Sequence, residues 1–219
     1  MLLKILFVVA SAALTFADPE ILYQPCHLNH YSCIREYFAS HSKCSRHIKG
    51  FVDSQYLVPR SRFDTPFFNA TYIDKDMIVR HHNWCYVSQL IVNPATNTTV
   101  FAMDCPWLNF ESTRTLIQHR SYREDTTYHY AINGTYPLIR LTTTFPSNRP
   151  IDLCHVFVYA EVTALPIFTI DPKDKPTANS LSRDLTKLHI FERETFFYRG
   201  KWLLKYFFNR VFCDFGCDI

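Results

Sequence analysis

Eight cysteines and ten histidines are the residues of this 219-residue chain whose types and spacing could do chemistry. The cysteines stand at 26, 33, 44, 85, 105, 154, 213 and 217, and such a set either oxidises to disulfides or, joined by histidine, ligates zinc. Zinc is disfavoured, because no C-x2-C pair occurs and the segment His81-His82-Asn83-Trp84-Cys85 has no second ligand pair at finger-like spacing. No metal site is expected. Cys26 and Cys33 enclose a short loop, His27-Leu28-Asn29-His30-Tyr31-Ser32, and a bridge there would pin the start of the mature chain. Cys85 and Cys105 are equidistant from Ala95, the middle of the turn-forming run Asn93-Pro94-Ala95-Thr96-Asn97. If that hairpin closes symmetrically the two face each other, with Cβ atoms about 4.5–5.5 Å apart, and a one-residue slip would break the pairing. For Cys44, Cys154, Cys213 and Cys217 the sequence leaves connectivity open; a bond from Cys154 to Cys213 or Cys217 is the expectation, tying a strand to the terminal helix.

The histidines do not assemble into a catalytic motif. No G-x-S-x-G elbow or H-E-x-x-H occurs. His81-His82 reads as part of a strand, where successive side chains point to opposite faces, and His129 and His155 are isolated. The chain is expected not to be an enzyme, with no catalytic residues and no cofactor.

These residues need a scaffold, and composition bounds it. With 47% hydrophobic residues, 20% charged residues and only 4 Gly, the chain is globular, and a formal charge of +3 is too small for a nucleic-acid footprint. Residues 1–17 read as a signal peptide, with Lys4 ahead of an apolar run and Thr15-Phe16-Ala17 before the cut. The rest, 18–219, reads as one secreted domain without a transmembrane segment, a monomer. Sequons at Asn69, Asn97 and Asn133 agree with export, and at least one is expected to carry sugar.

A short amphipathic helix is predicted within 33–47 from Ile34, Tyr37, Phe38 and His41; Pro59 and Pro66 interrupt the chain beyond it. Strand-like runs occupy 77–80, 84–92, 98–103, 108–119, 126–132, 136–145 and 154–162, rich in Val, Ile, Thr, Tyr and Phe. Only Asn133-Gly134 offers a tight primed turn. After a breaker-rich link at 171–176, Asn179 or Ser180 can cap a helix whose apolar residues include Leu181, Leu185, Leu188, Phe191, Phe196, Leu203, Phe207 and Val211, running to about residue 212. Its second half is apolar on nearly every side and must be buried. The fold class is therefore α+β: a long C-terminal helix wrapped by a highly curved antiparallel sheet, with a short disulfide-pinned N-terminal helix. Gly200, inside that helix, marks either a close strand or a bend.

Three segments resemble the insect juvenile hormone-binding protein and takeout family: Pro25-Cys26 through Ser32-Cys33, the run from Asp76-Met77-Ile78-Val79 to Phe110, and Phe208-Asn209-Arg210-Val211-Phe212. The resemblance implies a secreted carrier, in haemolymph-like fluid, holding one small lipophilic ligand such as a juvenile hormone-like terpenoid in an apolar cavity between helix and sheet. Its departures are the four extra cysteines and the position of Cys154. Candidate lining residues are Phe191, Phe196, Leu203 and Phe207 on the helix and Trp84, Trp107, Tyr128, Tyr130 and Phe145 on strands; the tyrosine hydroxyls could meet a polar ligand end. The alternative is a disulfide-stapled secreted interaction domain with a filled core. A continuous apolar tunnel beside the helix favours the first, a dry packed core the second.

Overall fold

The computed structural model describes residues 22–66, 68–182 and 185–217, without the side chains of 182, 185–188 and 191. The expected signal peptide lies outside these residues. Strands β1 (Gln55–Thr65), β2 (Ala70–Arg80), β3 (Tyr86–Asn93), β4 (Thr98–Gln118), β5 (Thr126–Pro146), β6 (Val158–Val162) and β7 (Ile167–Pro172) form one curved, open, antiparallel sheet. Its order is β1-β2-β4-β5-β6, with β3 pairing β4 and β7 pairing β5. Helix α1 (Tyr31–Ser40) precedes the sheet; α2 (Lys175–Ser182) and α3 (Leu185–Val211) come after it. The expected α+β class, with a C-terminal helix against a curved sheet, is the observed one.

Two expected strand breaks do not occur. Residues 98–103 and 108–119 are one strand, β4, which passes through Pro106 and a left-handed Trp107 at φ 54°. The register there runs from Pro106↔Leu138 to Leu108↔Tyr136, so the ladder resumes after Trp107. Likewise Asn133-Gly134 is not a turn but the middle of β5, paired with Glu111 and Phe110 on one side and with Thr169 and Phe168 on the other. A Cβ on Gly134 would stand 3.4 Å from the Tyr136 ring and 3.7 Å from the Phe168 Cβ, ordinary contact distances.

Pro59 lies within β1 instead of interrupting it. β1 is an edge strand, paired only with β2, and the bond from His81 N–H to the Ser54 carbonyl sets the alternation of the ladder. Counting from Ser54 along the register puts the backbone of Pro59 on the unpaired side, where its missing N–H costs no ladder bond.

The β3–β4 hairpin closes one step away from the expected symmetry, at Asn93↔Thr98. A register shift between Val87 and Gln89 then restores it, giving Tyr86↔Asp104, so that Cys85 faces Cys105 with Cα atoms 4.1 Å apart and the two are bonded. Cys26 is bonded to Cys33, Cys44 to Cys213 and Cys154 to Cys217. Cys213 therefore pairs with the segment after α1, leaving Cys217 for Cys154.

The helices depart from the expected boundaries for local reasons. α1 starts earlier and ends at Ser40, its last carbonyls taken by the backbone and ring of His41. α2 starts before the expected cap residues, because Asp174 Oδ1 accepts from Thr177 N–H at 2.7 Å and acts as the cap, with Pro176 in the first turn. Asn179 and Ser180 lie inside α2, and residues 183 and 184, between α2 and α3, lie outside the described residues. Nor is the second half of α3 buried all round: Phe197 and Tyr198 are exposed. At Gly200 the close strand is real, since a Cβ would stand 2.8 Å from the Cβ of Ala160 on β6.

Buried apolar residues form two clusters. The larger takes in α1, the second half of α3, and the facing parts of the sheet; every disulfide has a member in it or packed against it. The smaller, around Ala70, Tyr72, Leu116, Tyr130 and Ile132, contains no cysteine.

Candidate functional site

The interface of α3 with the sheet is where the sequence places a ligand, and protein side chains fill it. Phe38 of α1 reaches in and meets Phe208 at 4.8 Å between ring centroids, with Phe101 and Phe145 at 5.7 and 5.8 Å. Phe101 and Phe208 are themselves 4.7 Å apart. Further along α3, Phe196 lies 4.4 Å from Tyr136 and 5.5 Å from Phe110. These are the edge-to-face and tilted contacts of aromatic rings packing on one another.

The expected lining residues divide accordingly. Phe145, Phe196, Leu203 and Phe207 come together in the larger core, each no more than 2% exposed. Tyr130 is fully buried and Tyr128 half-buried, but both belong to the smaller cluster. Trp84 and Trp107 are half exposed and line no interior: Trp84 ends a 3₁₀ turn, and Trp107 is turned outward by its left-handed backbone. The side chain of Phe191 lies outside the described set. Of this lining, Phe145 alone borders a described cleft, a surface depression of about 400 Å³ beside Arg149 and Phe157. A more apolar cleft of about 600 Å³ lies elsewhere, between the N-terminal loop and β3, against Leu28, Tyr31, Tyr86 and Val87.

What the sequence did not single out is an ionic layer between the two cores. Asp74 on β2 receives Arg114 Nε at 2.8 Å, Arg199 Nη2 at 2.7 Å and the Ser112 hydroxyl at 2.9 Å. Arg114 also pairs with Glu192 of α3, whose other oxygen accepts from the Tyr136 hydroxyl at 3.2 Å. All four charged side chains are at most 5% exposed. Burial alone would raise the carboxyl of Asp74, but the two guanidinium groups and the hydrogen bonds hold it well below the usual carboxylate range. Burial likewise opposes the charge on Arg114, and Asp74 and Glu192 more than restore it. The Tyr130 phenol is pushed up to about 12, chiefly by burial. One signal was available: Phe110, Ser112, Arg114 and Leu116 share a face of β4, so the parity of the core residues turns Arg114 inward.

Two histidine groupings resemble chemistry without supplying it. His82 is fully buried rather than on a strand, because His81 turns left-handed at φ 65° and starts a 3₁₀ turn. Its Nδ1 lies 2.7 Å from the Tyr56 hydroxyl, and burial pushes its pKa down to about 3. With Cys85 and Cys105 it forms a ligand-like trio, but the two sulfurs are bonded to each other and offer no thiolate to a metal. His119 places Nδ1 2.7 Å from Asp125 and Nε2 2.9 Å from the Thr71 hydroxyl, in the order of a hydrolytic triad. The Thr71 hydroxyl donates instead to Asp64 at 2.6 Å and is buried, so no nucleophile is released.

The three sequon asparagines are all exposed. Asn133 accepts through Oδ1 from Asn109 at 2.7 Å, while Asn69 donates through Nδ2 to the carbonyl of His119 at 3.0 Å. Among the described residues no helix is long and apolar enough to cross a membrane.

The family described as Fibroin P25 matches residues 22–217. Fibrohexamerin from Galleria mellonella is 50% identical over 218 residues, covering 99% of this chain and 100% of that protein. The solved structure of Takeout 1 from Epiphyas postvittana aligns over 84% of this chain and 88% of that one, with 12% identity and a TM-score of 0.47.

Proposed function

The chain belongs to the Fibroin P25 family, and from that premise we propose that it is a secreted, disulfide-stapled interaction domain that works beside fibroin. Family membership narrows the resemblance to the juvenile hormone-binding and takeout group. The chain is not an enzyme: the family it belongs to and its 50% identical relative are named for fibroin. The observation that carries the reading is the packed helix–sheet interface, where Phe38, Phe101, Phe145 and Phe208 occupy the place a ligand would need. Export is supported by four disulfides, which persist in oxidising compartments.

The test is to secrete the chain from insect cells with and without fibroin chains, then purify it under native conditions and weigh it after deglycosylation. Co-purification with fibroin and a ligand-free mass, unchanged by terpenoids or fatty acids, are the expected results. Failure to associate with fibroin would sink the proposal.

A second reading keeps a small lipophilic ligand but moves it to the 600 Å³ cleft beside Leu28, Tyr31 and Val87, whose size and apolar walls suit one. A bound lipophile displaced by Tyr86→Asp, and not by Phe207→Ala, would favour it.

A further inference from the structure

We propose that the fold consists of two separately opening parts, and that the end beyond the Asp74–Arg114–Glu192–Arg199 layer opens on its own while the disulfide-bound end stays folded. The inference goes beyond the fibroin reading and does not depend on it.

Three observations carry it. The first is the position of the layer. Along β4 the inward residues pass from Phe110 in the larger core, through Ser112 and Arg114, to Leu116 in the smaller. Along β2 they pass from Tyr72 in the smaller core, through Asp74, to Met77 in the larger. On α3, Arg199 lies over Phe110 and Phe196 of one cluster and over Phe63 of the other. The apolar clusters thus meet across a sheet of charge, and cooperative packing is weakest where apolar contact is interrupted.

The second is the distribution of covalent ties. All four disulfides fasten the larger core, joining α1, the β3–β4 hairpin, the segment before β6 and the end of α3. The smaller core has none.

The third is how the covering helices are held. Glu192, in the first half of α3, is tied to the sheet through Arg114 and Tyr136, and α2 through the Thr177 hydroxyl, which accepts from His129 N–H at 3.1 Å. A buried ion pair depends on its partner: when one charge is removed the other is left in a low-dielectric site, and the open form, which hydrates it, is favoured. Opening would lift α2 and the start of α3 and uncover Tyr72, Leu116, Tyr130 and Ile132 as an apolar face.

Native-state hydrogen exchange on the oxidised, secreted chain tests this at constant pH. In Glu192→Gln, peptides covering 126–132, 167–172 and 175–199 are expected to exchange about tenfold or more faster than in the parent, the equivalent of one decade in an opening equilibrium. Peptides covering 86–93 and 203–213 should keep the parent's rates. Phe207→Ala, in the larger core, should accelerate 86–93 and 203–213 and leave the other set near the parent's rates. Equal acceleration at both ends in Glu192→Gln, or none at either, would overturn the proposal.

Should Glu192→Gln fail to be secreted, the parent in graded urea gives the same decision. Its three tryptophans, Trp84, Trp107 and Trp202, all lie toward the stapled end, whereas exchange at 126–132 reports the other. Exchange rising at lower urea than the change in tryptophan fluorescence supports two parts. Coincident midpoints refute them.

Discussion

Arg199 of α3 donates to Asp74 of β2 at 2.7 Å, joining residues 125 apart in a site where neither side chain is more than 5% exposed. The contact fixes where the helix crosses the sheet, and with Arg114 on the same carboxylate the pairing is sensitive to every member. Arg199→Met should destabilise by about 3–5 kcal/mol, the usual cost of breaking a buried pair from one side. Asp74→Leu should cost more, since it strands two guanidinium groups. Denaturant unfolding of the oxidised proteins measures both, and a loss within error of zero for either would contradict the account.

Gly200 should resist replacement. Alanine in a helix is favoured over glycine by about 1 kcal/mol, yet here its Cβ would fall 2.8 Å from Ala160 Cβ and 3.2 Å from Leu141 Cδ2. Overpacking costs of about 1–3 kcal/mol outweigh the propensity gain, so Gly200→Ala should lower stability. Ala160→Gly in the same chain should recover most of the loss, and a double-mutant cycle in thermal unfolding reads the coupling.

His82 makes stability fall with acid. Its folded pKa is about 3 through burial, against an unfolded value near 6.5, so the unfolded chain binds the extra proton between those limits. The stabilisation is complete above about pH 6.5 and is lost as pH falls toward 3, with a slope of up to about 1.4 kcal/mol per pH unit. Asp74, whose carboxyl is held low, adds a loss that begins below about pH 4. His82→Asn, which can keep a partner for Tyr56, should flatten the curve between pH 6.5 and 4.5; an unchanged curve would remove His82 as its origin.

The disulfides should differ in value. Cys44–Cys213 spans 169 residues and Cys26–Cys33 only 7. On the loop-closure account, removing the first by paired Ser replacement should cost about 2–3 kcal/mol more than removing the second. Melting temperatures of the two variants decide it.

The cysteine ladder and the long helix were legible because each announces itself locally: spacing about Ala95 for Cys85 and Cys105, and recurrence of Phe196, Leu203 and Phe207 for α3. The hairpin shows the limit of such reading. Its turn is one step off, and the register shift near Ser88, which no residue type signals, returns the cysteines to opposition. Asn133-Gly134 reads as a turn in one dimension, and only the pairing with β4 and β7 places it in mid-strand. The ionic layer was the least legible, because Asp74, Arg114, Glu192 and Arg199 each look like a solvated charge until the parity of β4 and β2 is set against the helix. The aromatic excess pointed to the helix–sheet interface, where Phe38 of α1, which was not among the candidate lining residues, packs with Phe101, Phe145 and Phe208.

Pro59 has a bearing on the company this chain keeps. An unpaired strand edge is a template on which another extended chain can deposit itself. Among strand-forming polypeptides at high concentration, such an edge would be enrolled into its neighbours' sheets. Pro59 withholds a donor from the open side of β1, and Arg60, Arg62 and Asp64 add charge just beyond it. On that side another extended chain meets a missing donor and side-chain charge in place of an unbroken row of backbone groups, so β1 is a poor template for strand addition.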